Sequence, residues 1–73
     1  MMLNDMKTPE KLSEARLNRG LSQTELAETA GVSQASIAMI ETGARKRPHP
    51  RTLRKLAGAL GIEVRELRDD PEE

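Results

Sequence analysis

The sequence predicts an all-α domain of five short helices around an aliphatic core. Three observations lead there. Apolar residues recur three and four positions apart in successive segments, capping residues and glycines punctuate the chain between them, and no run alternates apolar with polar residues as a strand does. At 73 residues the chain makes one small domain at most. It contains no Phe, Trp or Tyr, so the core falls to Leu, Ile, Val and Ala.

Thr8, with Pro9 and Glu10 behind it, reads as an N-cap, a first-turn proline and a first-turn acid, and starts helix one; Leu12 and Ala15 give its buried stripe and Gly20 its stop. Residues 1–7 lie outside and are expected to fray. Ser22 and Glu25 make a capping box for helix two, whose buried face is Leu26, Ala27 and Ala30, and Gly31 breaks it. Ser33 caps helix three, from Gln34 to Thr42, with Ile37 and Ile40 inward and Gly43 ending it. Pro50 opens helix four, which carries Leu53, Leu56, Ala57 and Leu60 on one side and runs to Gly61. Gly58 inside that helix costs about 1 kcal/mol relative to Ala unless something packs against it. Val64 and Leu67 suggest a brief fifth helix before an acidic tail over residues 69–73. The domain proper is residues 8–68, with no internal repeat.

Size and composition exclude several classes of function. A domain this small buries only about 60% of the surface of its unfolded chain, so a deep catalytic cleft competes with the core for side chains. With no Cys and one His there is no disulfide framework, thiolate zinc site, Cys nucleophile or His cage, and no metal or cofactor is expected. No catalytic triad or phosphate-cradling glycine loop is present, and the chain does not read as an enzyme. The longest stretch without charge, Thr29 to Ile40, contains Thr, Ser, Gln and Gly, so neither a signal peptide nor a membrane span can be drawn, and a cytoplasmic protein is expected.

The formal charge of zero hides an asymmetry. Residues 21–43 carry three acids and no base, residues 44–55 carry six bases and no acid, and residues 56–73 carry two bases and six acids. The block Arg45, Lys46, Arg47, Arg51, Arg54 and Lys55, beside His49, is a phosphate-facing patch in its functional reading and a solvated surface in its plain one.

A helix, a tight Gly31-Val32-Ser33 turn and a second helix are the arrangement that lays one helix across a DNA backbone and the next in the major groove. The stretches LSQTELAETAGVSQASIAMIETG and TLRKLAGALGIEVREL resemble the helix-turn-helix domain of the lambdoid-phage repressor and Cro type, the XRE family. The likeness runs from Leu12 to Leu67 and includes Gln23, Ala27, Gly31, Val32, Ile37, Glu41 and Gly43. It implies a compact lambda-repressor-like fold and a bacterial or phage transcriptional regulator that binds double-stranded DNA, as a homodimer on paired half-sites.

On a helical wheel Ile37 and Ile40 define the inner side of helix three, which leaves Ala35, Ala38, Met39 and Thr42 outward with Gln34 on their flank. The resemblance places base contacts at Gln34, Ala35 and Met39. A Gln amide pairs with adenine N6 and N7, and Ala, Met and the Thr methyl pack on a thymine methyl. The resemblance also implies backbone contacts from Gln23, Ser36 and the loop residues Arg45, Lys46, Arg47 and His49, with Arg47 or His49 reaching toward the minor groove. His49 serves equally as the N-cap of helix four. Glu41 falls nearer the buried side, and the resemblance pairs it with Arg16 as an internal ion pair. Family members commonly carry Gln, Arg, Lys or Asn on the outward face, which here is small or apolar apart from Gln34 and Thr42. Met39 suits a protein contact as well as a thymine. The rival reading is therefore a protein-binding module, such as an antitoxin-like partner with secondary DNA binding.

Overall fold

A computed structural model of the protein describes residues 7–68. Four α-helices follow one another: α1 Thr8–Asn18, α2 Gln23–Ala30, α3 Gln34–Thr42 and α4 Pro50–Leu60. The expected fifth helix is a single 3₁₀ turn, Val64–Glu66. The seven residues between the Gly61 stop and the acidic segment amount to about two turns, too few to sustain an α-helix. The turn is closed instead by the Glu63 N–H donating to Glu66 Oε2 at 3.0 Å. It delivers Leu67, fully buried, to the core. Among the described residues there is no strand, and no helix is long and apolar enough to cross a membrane. The expected acidic tail, and all of the expected fraying segment except Lys7, lie outside the described residues.

Local signals set most of the boundaries. Ser22 Oγ accepts from the Glu25 N–H at 3.0 Å while the Ser22 N–H donates to Glu25 Oε1 at 2.8 Å, which satisfies two end groups of α2 at once. Ser33 Oγ accepts from the Ser36 N–H at 3.1 Å and starts α3. At α1 the cap lies one residue earlier than expected. Thr8 is the first helical residue and is buried, and Lys7 is the cap, its N–H donating to Glu10 Oε1 at 2.8 Å. Gly31 makes the turn between α2 and α3 possible: its φ of 74° is a left-handed conformation that costs an L-residue about 1–2 kcal/mol.

The core joins Leu12 of α1, Leu26 and Ala27 of α2, Ile37 and Ile40 of α3, Leu53, Leu56, Ala57 and Leu60 of α4, and Leu67. Each Leu or Ile buried there contributes roughly 1.5–3 kcal/mol. Helix α3 packs on both α1 and α2, and α2 packs on α4. One side of α3 is thus fully used, and the other is left outward.

Candidate nucleic-acid interface

A chain of hydrogen bonds runs from the interior to the start of α3. Arg16 and Glu41, with side chains only 12% and 7% exposed, form a forked ion pair: Nε donates to Oε2 at 2.8 Å and Nη2 to Oε1 at 3.0 Å. The remaining arm of Arg16 donates through Nη1 to the Leu21 carbonyl at 2.8 Å. The hydrogen bond to Glu41 raises the Arg16 pKa above the ordinary guanidinium value, against the opposing pull of burial. Glu41 Oε1 also accepts from Gln23 Nε2 at 2.9 Å, and Gln23 Oε1 accepts in turn from Gln34 Nε2 at 3.0 Å.

These bonds give Gln23 a task besides the DNA-backbone contact expected of it. One N–H and the carbonyl of its side chain are engaged by Glu41 and Gln34, and the second of these bonds orients the Gln34 amide. Sequence spacing gave no sign of this link, because Gln23 and Gln34 sit in different helices and residue types do not reveal rotamers. The consequence is a fixed amide on an exposed residue. Gln34 keeps one N–H and its oxygen for a partner, with the orientation of the two set by Gln23.

The rest of the outward face is apolar. Ala35 and Met39 are exposed, Met39 at 37%, and Ala38 is half-buried rather than fully outward. Thr42 is exposed, but its hydroxyl donates back to the Met39 carbonyl at 3.3 Å and accepts from the Ala44 N–H at 3.4 Å. Half-buried Ser36 accepts from the Ser33 hydroxyl at 2.9 Å, which leaves its own hydroxyl proton to donate elsewhere.

Beyond Gly43 the chain is pinned by the Arg45 N–H, which donates to the Met39 carbonyl at 3.0 Å. Lys46 and Arg47 are exposed in the loop that follows, and they share an open groove with Lys7 and Arg68. None of these four cations forms an ion pair among the described residues. His49 caps α4: its Nδ1 accepts from the Arg51 N–H at 3.0 Å, which places the ring proton of the neutral side chain on Nε2. The first turn of α4 holds Arg51 and no acid, so a cation sits uncompensated at the positive end of a helix dipole. Such an arrangement opposes folding slightly and favours a polyanion nearby.

Two short helices joined by a glycine turn, the second with one side outward and followed by a basic loop, define a helix-turn-helix protein. The chain belongs to the helix-turn-helix family, which it matches over residues 12–67. It is 47% identical over 53 residues to the HTH-type transcriptional repressor RghR of Bacillus subtilis (strain 168), covering 73% of this chain and 39% of that one. To the uncharacterized HTH-type transcriptional regulator RghRB of the same organism it is 40% identical over 58 residues, covering 80% and 42%. Among solved structures it is similar to the restriction-modification controller protein C.AhdI from Aeromonas hydrophila, at 38% identity and a TM-score of 0.77 over 82% of this chain and 89% of that one. It also resembles the N-terminal DNA binding domain of SinR from Bacillus subtilis, at 29% identity and a TM-score of 0.79 over 89% and 96%. The chain spans about two fifths of the length of RghR and of RghRB.

Proposed function

We propose that this chain binds duplex DNA sequence-specifically as a transcriptional regulator, with α3 in the major groove. The observation that carries the reading is the tethered amide of Gln34. Its free N–H and oxygen match the acceptor N7 and donor N6 that adenine alone presents side by side in that groove, and the tether fixes which end is which. Lys46 and Arg47 supply phosphate contacts, joined by the Ser36 hydroxyl, and the names of the related proteins support the same role. His49 positions the loop through its cap and offers Nε2–H to a phosphate or to the minor groove.

One such domain makes few base contacts, so two copies on half-sites about one helical turn apart are the working form. Around the 3₁₀ turn Leu67 is fully buried in the core, while half-buried Ile62 and Val64 are open to such a dimer contact. A second reading, contact with a protein, rests on Leu17, which is 61% exposed near the end of α1.

Selection from a pool of random duplexes, run as a salt series, tests the proposal. A half-site motif containing an essential adenine should emerge, affinity should fall steeply with salt, and Gln34→Ala should relax that one position at a cost of about 1–3 kcal/mol. No enrichment at low ionic strength would sink the reading and turn the search toward a protein partner.

A further inference from the structure

The outward face of α3 is poorer in hydrogen-bonding groups than a base-reading surface ordinarily requires. Gln34 has given one N–H to Gln23, the Thr42 hydroxyl is turned to its own backbone, and Glu41 is held by Arg16 and Gln23. What remains toward a groove is the rest of the Gln34 amide, the methyls of Ala35, Ala38 and Thr42, and the thioether of Met39.

The major groove displays one apolar group, the C5-methyl of a pyrimidine. Resting on the DNA-binding reading above, we propose that Ala35 and Met39 sense this methyl as such, so that the protein accepts 5-methylcytosine in place of thymine and rejects both cytosine and uracil. The argument is one of missing chemistry. In their base pairs thymine and 5-methylcytosine differ at the pyrimidine 4-position, where one offers O4 as an acceptor and the other an N4 amino donor, and at the 6-position of the purine opposite, which is N6–H in adenine and O6 in guanine. An apolar side chain has no group that responds to that difference. It responds only to whether a methyl is there to be covered. Gln, Arg, Lys or Asn at position 35 or 39 would read the 4-position instead and separate the two bases. The binding surface of this chain is therefore sensitive to cytosine methylation in a way that a polar recognition helix is not.

Each covered methyl is expected to change affinity about fourfold, the equivalent of roughly 0.8 kcal/mol per buried methylene-sized group. The test uses the full 73-residue chain and the duplex it enriches from the random pool. Each pyrimidine outside the position relaxed by Gln34→Ala is replaced in turn by thymine, uracil, cytosine and 5-methylcytosine, each opposite its own Watson–Crick purine, and Kd is measured by anisotropy of the labelled DNA. At one or two positions per half-site, thymine and 5-methylcytosine should bind within twofold of each other, with uracil and cytosine about fourfold weaker. Met39→Gln, at an exposed site whose change leaves the melting temperature near that of the wild type, should flatten the pattern at one position and leave the Gln34 position untouched. Specific binding with thymine equal to uracil everywhere overturns the proposal while the DNA-binding reading stands. 5-Methylcytosine as weak as cytosine overturns it too. Failure to enrich any duplex removes the DNA-binding reading itself.

Discussion

Replacing Glu41 by Ala removes the carboxylate that accepts two hydrogen bonds from Arg16 and one from Gln23. Arg16 keeps its contact to the Leu21 carbonyl and is left charged at a site where its side chain is 12% exposed. Losing one partner of such a pair costs about 3–5 kcal/mol. A domain of 73 residues has on the order of 4–11 kcal/mol in total, at roughly 0.05–0.15 kcal/mol per residue. At about 4–8 °C per kcal/mol for a domain of this size, the melting temperature should fall by at least ~12 °C. Arg16 has no escape by losing its proton. Its pKa is raised in the folded state, so the stability it contributes is present throughout the ordinary pH range and is lost only as the pH climbs through the raised value, in strong alkali. Mutation, not titration, is the way to see the pair. The assay is thermal melting by far-ultraviolet circular dichroism, since the chain has no aromatic chromophore. The double variant Arg16→Met with Glu41→Leu should regain much of the loss, because an apolar pair leaves no stranded charge, although Gln23 and the Leu21 carbonyl still lose partners. Glu41→Ala melting within ~2 °C of wild type, or a double variant no better than the single, would refute the reasoning.

Two glycines give a paired test of backbone strain. A Cβ at Gly58 or at Gly31 meets nothing within 4 Å, but only Gly31 has a positive φ, at 74°. Gly58→Ala should therefore raise stability by up to about 1 kcal/mol, and Gly31→Ala should lower it by about 1–2 kcal/mol, both read from denaturant midpoints; changes of the same sign would mean that conformation is not what separates them. In the loop, Lys46→Ala and Arg47→Ala should each weaken binding to all duplexes alike and lower the slope of log affinity against log salt by about one, while an unchanged slope would remove that residue from the phosphate contacts.

The helices were legible in the sequence because their end signals are local. Ser22 with Glu25, Ser33, Pro50 and the glycines at 31, 43 and 61 act through bonds and dihedrals within a few residues, and α2, α3 and α4 start and stop where those signals say. The errors lie where the signal was thin or competed with packing. Thr8 has the chemistry of a cap, yet it is buried inside the first turn and the bond to Glu10 comes from Lys7. Val64 and Leu67 have helical spacing, but the stretch is too short to hold more than a 3₁₀ turn. Of the candidate interface, the wheel separates the inner from the outer side of α3 because Ile37 and Ile40 must be covered, though it does not foresee that Ala38 is half-covered too. The links from Glu41 to Gln23 and on to Gln34 depend on how α2 meets α3 and on side-chain torsions, and neither is written in residue spacing.

The bonds from Arg16 through Glu41 and Gln23 to Gln34 are graded from indispensable to replaceable. A change at Gln34 removes only the outermost bond, and Gln23 stays anchored to Glu41 beneath it. A change at Gln23 takes a donor from a nearly buried carboxylate and unsettles both the fold and the residue above. After gene duplication, a daughter copy can thus acquire a new preference at position 34 in one mutational step without compensating repair, whereas drift at position 23 meets a stability barrier first. The divergence of such copies would be channelled outward, toward the exposed residue proposed to read DNA and away from the residues that hold it in place.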